Sequence, residues 1–193
     1  MKEINLICSG PTINKLNQKE INFINNNQNV FINRSGFINK DIKIKKDDII
    51  FIQDIIPLYQ EQFWQHKTGK VDYILAMPLE GAKIIAETYN IDFYKLQNKT
   101  IIYNYKSYGE TTSAIALQYL IDNRFDKINI FGLDMRGKGF SVDLKRRNFN
   151  YKQDFFDKNI FFIENKSNQW NKESEIVLRT KSELKCFKYN KIK

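Results

Sequence analysis

The sequence predicts an α/β fold, a single Rossmann-like domain with a mainly parallel sheet flanked by helices. Three observations carry that expectation. Short apolar runs rich in isoleucine recur along the chain, as in Ile4-Asn5-Leu6-Ile7-Cys8, Ile49-Ile50-Phe51-Ile52 and Lys127-Ile128-Asn129-Ile130-Phe131. Stretches of helical periodicity separate them, and strands alternating with helices read as βαβ units whose strands are covered on both faces. Several runs also stop in small polar residues, the places where open parallel sheets hold ligands.

Length and composition set the bounds. At 193 residues the chain fits one domain, 1–193, large enough to bury a core without staples. An apolar share of 42%, with 15 Phe and 10 Tyr, excludes global disorder. No apolar run approaches the roughly 18–20 residues of a membrane span, and the first residues lack the apolar stretch of a secretory signal. A cytoplasmic location is therefore expected. Cys8 and Cys186 lie far apart without metal-type spacing, and free thiols are expected in a reducing compartment. The net charge of +9 points to an anionic partner, or to the lysine enrichment of an AT-rich genome.

Taken in order, the first strand covers Ile4 to Cys8 and ends in Ser9-Gly10-Pro11-Thr12. Pro11 stops the strand, and Gly10 admits a close backbone or ligand. Residues 13–24 carry apolar positions at Ile13, Leu16, Ile21 and Ile24, a loose helical pattern. Val30-Phe31-Ile32 is a second strand ending in Asn33-Arg34-Ser35-Gly36. A basic, hairpin-like stretch over 40–48 precedes the third strand, which ends at Gln53-Asp54. Residues 58–66 read as a short aromatic helix, 73–76 as a strand, 79–89 as a helix and 100–103 as a strand. Thr111-Thr112-Ser113 offers N-cap hydroxyls to a helix over 114–123. The strand over 127–131 ends in Gly132-Leu133-Asp134. A basic insertion near 136–153 follows, then expected strands over 160–163 and 184–187.

The expected strand ends share hydroxyls, amides and a helix N-terminus, groups that hydrogen-bond a base, a ribose and a phosphate. Taken alone, a strand ending in Gly-Pro is more often an ordinary turn; the recurrence of polar ends favours a nucleotide site. The segment Ile7-Cys8-Ser9-Gly10-Pro11-Thr12 resembles the N-terminal G-x-G-P-S motif of bacterial sialyltransferases and related Kdo-transferase-like and motility-accessory proteins. Thr111-Thr112-Ser113-Ala114, followed by the strand and Gly132-Leu133-Asp134, is similar to that group's second signature. Asn33 matches the asparagine that ends its second strand.

That resemblance implies a glycosyltransferase with one GT-A-type domain that uses a CMP-activated sugar, inverting and independent of metal. It places Ser9, Gly10, Pro11, Thr12, Asn33, Arg34, Thr112, Ser113, Gly132 and Asp134 around the donor, with Asp54 or Gln53 at a ribose or sugar contact. Arg136 and Lys138 stand where the family has tyrosines that assist CMP release, and they would neutralise the leaving phosphate. No Asp-x-Asp follows a strand, so no metal or other cofactor is expected. The family's histidine, which follows the Gly-x-Asp loop, has no counterpart. The single histidine is His66, with Asp54, Glu110 and Asp143 as other candidate bases. Lys138, Arg146 and Arg147, interleaved with Phe140, Phe149 and Tyr151, form the expected acceptor segment. A surface glycan is the first acceptor expected. A phage-type enzyme acting on DNA is the second, since such a patch can track phosphates while aromatics stack on bases. A non-catalytic nucleotide- or nucleic-acid-binding module is the third reading.

Overall fold

A computed structural model describes residues 1–33, 35–52, 74–88, 90, 92, 100–103, 111–135 and 153–192 of the chain. The described residues form one eight-stranded sheet, and every neighbouring pair runs parallel. The strands are β1 (Glu3–Ile7), β2 (Asn29–Ile32), β3 (Ile49–Phe51), β4 (Ile74–Pro78), β5 (Thr100–Tyr103), β6 (Lys127–Phe131), β7 (Glu175–Leu178) and β8 (Lys188–Tyr189). Their spatial order is β5-β4-β3-β2-β1-β6-β7-β8. The chain builds outward from β1 to β5, returns to place β6 against the other side of β1, and continues outward. This is the doubly wound, Rossmann-like arrangement that the isoleucine runs predict, with its reversal of direction between β1 and β6.

Both faces of the sheet are buried, which is why the strands carry apolar residues at successive positions. Ile4, Leu6, Cys8, Val30, Ile128 and Ile130 pack on one face beneath helices α3 (Thr112–Asp122) and α4 (Gln153–Glu173). Ile7, Phe31, Ile50 and Phe131 pack on the other. That face is covered by a 3-10 turn over Pro11–Lys15, helix α1 (Gln18–Asn26) and helix α2 (Leu79–Thr88). Helix α1 starts with a reciprocal cap. The Asn17 side chain accepts from the Glu20 backbone N–H at 3.0 Å, and the Glu20 carboxylate accepts from Asn17 N–H at 2.8 Å. The single helical pattern expected over 13–24 is thus two pieces, because Leu16 turns extended to end one and Asn17 caps the next.

Three further expectations change. Residues 160–163 are not a strand but lie inside α4. Four consecutive apolar residues mimic a buried strand, yet Asn159, Ile163, Ser167 and Trp170 are buried at helical spacing while Phe161 is 69% exposed. Residues 184–187 are likewise no strand. Leu184 and Phe187 plug the α3/α4 core from an irregular segment, and β8 begins only at Lys188. The stretch 40–48 is a series of turns rather than a hairpin, ending where Asp48 leads into β3. The expected helix over 58–66 and the basic insertion fall outside the described residues. Cys8 is a buried free thiol and Cys186 a half-buried one. Among the described residues no helix is long and apolar enough to cross a membrane.

Candidate functional site

The reversal between β1 and β6 places the carboxyl ends of these two strands side by side, with the α3 N-terminus close by. The strands pair in register from Glu3↔Lys127 to Ile7↔Phe131, and hydrogen bonding continues past them. Cys8 N–H donates to Phe131 O and Gly10 N–H donates to Gly132 O, each at 2.8 Å. Two glycines make this approach possible. A Cβ on Gly10 would stand 2.4 Å from the Gly132 carbonyl oxygen and 2.7 Å from the Asp134 carboxyl carbon. Gly132 has φ +69°, and its Cβ would lie 2.5 Å from the Cys8 carbonyl oxygen.

A second brace sits beyond the glycines. The Asp134 carboxylate accepts from Thr12 N–H at 2.8 Å and from the Thr12 hydroxyl. Asp134 is 4% exposed and fixes the start of the 3-10 turn, taking the N–H that a bound anion would otherwise use. The group nearest the first turn is therefore a carboxylate, which suits hydroxyl or amine donors of a ligand better than its phosphate.

Loops from both flanks support this floor. From the β7 side, the Thr180 hydroxyl accepts from Gly132 N–H at 2.8 Å, the Ser182 hydroxyl donates to Leu133 O, and Glu183 N–H donates to Asp134 O at 3.2 Å. From the β2 side, the buried Ser35 hydroxyl donates to Ile7 O at 2.7 Å. Thr111 caps α3, its hydroxyl accepting from Ala114 N–H at 3.3 Å. Thr112 and Ser113 are buried in the first turn of that helix. Ser113 shares a hydrogen bond with the Cys8 thiol, tying α3 to the end of β1. Burial pushes that thiol far above the ordinary thiol range, and the Asp134 charge adds to the shift. Cys8 therefore stays protonated and serves as packing, not as a nucleophile.

Backbone strain gathers at the same end of the sheet. Asn33 at the end of β2 has φ 53° and Met135 beyond β6 has φ 53°, both in the left-handed region that side chains disfavour. With Gly132, three positive-φ residues surround the reversal, and such outliers concentrate where function constrains the backbone.

Of the sequence-predicted residues, Ser9, Gly10, Pro11, Thr12, Gly132 and Asp134 come together here, with Ser113 adjoining through Cys8. Asn33 ends the neighbouring strand β2. Arg34, Gln53, Asp54, His66, Glu110, Arg136, Lys138, Asp143, Arg146 and Arg147 lie outside the described residues. Thr180 and Ser182 are new to the site. Among the described residues no group of three His, Cys, Asp or Glu side chains gathers in a metal-binding cluster. No protein-family model, curated protein or solved structure matches the chain.

Proposed function

We propose that the chain is a glycosyltransferase that moves a sugar from a nucleotide-linked donor, CMP-linked in the first instance, to a surface glycan. The observation that carries this reading is the switch-point crevice. Two glycine-bearing loops at the ends of β1 and β6 are drawn together, next to a helix start rich in hydroxyls, where doubly wound sheets bind nucleotides. The order of Ser9-Gly10-Pro11-Thr12, Asn33, Thr112-Ser113 and Gly132-Leu133-Asp134 along the chain, shared with the sialyltransferase-like group, supports the CMP-sugar donor.

On this reading the floor binds the donor and holds its anomeric carbon open to the acceptor. Asp134 and Thr12 take the ribose hydroxyls, and Asn33 with the first turn of α3 takes the base or the donor carboxylate. Arg136 stabilises the phosphate as the glycosidic bond breaks, and a carboxylate such as Asp54, or His66, removes the acceptor proton. Lys138, Arg146 and Arg147 draw in an anionic acceptor. On this reading the reaction needs no metal, because protein cations and hydroxyls suffice in principle to stabilise a monophosphate leaving group.

The test is donor turnover. The protein is incubated with CMP-, UDP- and GDP-sugars, with glycan or DNA acceptors, and free nucleotide is measured. Release of CMP with a glycan acceptor supports the reading, and release only with DNA moves the acceptor to nucleic acid. Calorimetry with CMP and cytidine completes it. Binding without turnover leaves a binding module, and neither binding nor turnover overturns the proposal.

A further inference from the structure

At the opposite end of β1 from the crevice, three asparagines lie in strands otherwise built from apolar residues. Asn5 pairs in register with Asn29 of β2 on one side and with Asn129 of β6 on the other. Parallel register places the three side chains on one face, and all are fully buried. One strand beyond β2, Asp48 stands beside Asn29 just ahead of β3 and is also fully buried. On the other flank, Arg179 reaches back from beyond β7 to the level of Asn129, passing the buried Val177 opposite it. The row above is wholly apolar: Ile7, Phe31, Ile50 and Phe131.

The hydrogen bonds run in one direction. Arg179 Nε donates to Asn129 Oδ1 at 2.8 Å. Asn129 Nδ2 donates to Asn5 Oδ1 at 3.2 Å, and Asn5 Nδ2 donates to Asn29 Oδ1 at 2.9 Å. Asn29 Nδ2 donates to the Asp48 carboxylate at 3.1 and 3.2 Å. The chemistry of the ends dictates this sense. A guanidinium can only donate and a carboxylate can only accept, so each amide between them must turn its oxygen toward Arg179. Both ends also hold main chain. Arg179 Nη1 donates to Asn190 O at 2.9 Å, and Asp48 accepts from Asn29 N–H at 2.8 Å and Lys45 N–H at 2.9 Å. Glu3 takes the remaining Asn129 donor at 2.8 Å.

We propose that Arg179, Asn129, Asn5, Asn29 and Asp48 form a one-way hydrogen-bonded relay that fixes strand order and register and couples the C-terminal tail to the turn ahead of β3. Where both faces of a strand are apolar, a one-residue slip exchanges one apolar face for another, so apolar patterning alone does not fix the register. A slip of one residue in β1, β2 or β6 turns an asparagine toward the opposite, apolar face and leaves its amide without partners. Fully satisfied polar networks impose a single arrangement in this way, and each amide polarises the next. The tail residue Asn190 and the turn residue Lys45 are then two ends of one device.

A double-mutant cycle tests the coupling. Four strand spacings put the Arg179 and Asp48 backbones roughly 19 Å apart, beyond the range of about 7–10 Å at which independent sites cease to interact. Arg179→Met keeps the stem and removes the donors, and Asp48→Asn keeps the shape and removes the charge. Unfolding equilibrium constants are measured in urea for both singles and the double. In a relay the double variant loses at least threefold less than the product of the single losses, whereas additive losses overturn the proposal. A second readout covers variants that do not fold. In asparagine-labelled protein carrying the milder Arg179→Lys, the side-chain amide resonances of Asn5 and Asn29 move together with that of Asn129. A change confined to Asn129 overturns the relay.

Discussion

Gly10→Ala separates two arguments that give opposite signs. Gly10 has φ −68° and ψ 156°, a conformation any residue adopts. On backbone entropy alone, alanine there would stabilise the protein by about 0.4–1 kcal/mol. The crevice geometry says otherwise. The new methyl carbon would lie 2.4 Å from the Gly132 carbonyl oxygen, where ordinary contact begins at 3.4 Å, so the loops must part by about 1 Å. The obstacles are the Gly132 carbonyl and the Asp134 carboxyl group, and the carbonyl is backbone that no rotamer change can move aside. Parting the loops breaks the Gly10–Gly132 hydrogen bond, worth about 1 kcal/mol, and weakens the charge-assisted Thr12–Asp134 pair, worth about 1.5–3 kcal/mol.

Setting the entropic gain against these losses leaves a net destabilisation of about 1.5–3.5 kcal/mol. For a chain of this size that lowers Tm by about 3–14 °C. The assay is urea unfolding followed by far-ultraviolet circular dichroism, with thermal melting as a check. CMP affinity should fall at least tenfold in the same variant, since the floor of the site is displaced. A Gly10→Ala protein as stable as the parent, or more stable, would refute the close approach of the two loops and with it the geometry of the crevice.

Other expected outcomes follow from single contacts. Thr12→Val removes one of the two Asp134 bonds and keeps the backbone one, so it should cost about 1–2 kcal/mol in urea unfolding and weaken cytidine as much as CMP. Burial raises the Asp48 carboxyl above its ordinary value of 3.8, while hydrogen bonds from Lys45 and Asn29 and the Lys45 charge oppose the shift. Between 3.8 and the raised folded value the native state holds a proton that the unfolded chain has released, so this contribution to stability is lost as pH rises through that window. The difference in unfolding free energy between the parent and Asp48→Asn, followed across mildly acidic pH, should carry that slope, and a flat difference would contradict it. Trp170→Ala should cost about 3–5 kcal/mol by urea unfolding, because the ring is fully buried and its Nε1 donates to Gln118 Oε1 at 2.7 Å.

The central strands were legible because isoleucine and phenylalanine cluster at successive positions in β1, β2, β3 and β6, the mark of strands buried twice over. The crevice was half legible. Gly10 and Gly132 stand out where an apolar run stops, and Asp134 follows one of them. Thr180 and Ser182 carried no such sign, since hydroxyl residues in a loop look alike whether they brace a site or face water. Met135 was hidden for a different reason: methionine gives no hint of a left-handed backbone, and only the fold imposes φ 53° there. Asn5 and Asn129 were visible in the sequence as polar residues inside apolar strands, whereas Asn29 stood just ahead of the expected second strand, Val30 to Ile32, and joins β2 only in the structure. Read strand by strand they look like tolerated exceptions, and only register shows that they form one row.

The mistaken strand over 160–163 supplies a test of the fold that stability alone decides. In a strand, Phe161 and Ile163 would share a face, and truncating either would cost a similar amount. In helix α4 they are separated by two residues and point about 160° apart. The structure accordingly leaves Phe161 69% exposed and Ile163 fully buried between α3 and the sheet. Phe161→Ala should therefore change unfolding free energy by no more than about 0.5 kcal/mol, whereas Ile163→Ala should cost about 2–5 kcal/mol. Denaturant titration of the two variants side by side is sufficient. Similar losses would put both residues in the core, return the segment to a strand and remove the helix that covers β6 and β7. The disparity matters for the crevice as well, because α4 packs on α3, and α3 packs on β1 and β2 and brings Ser113 to Cys8 at the end of β1.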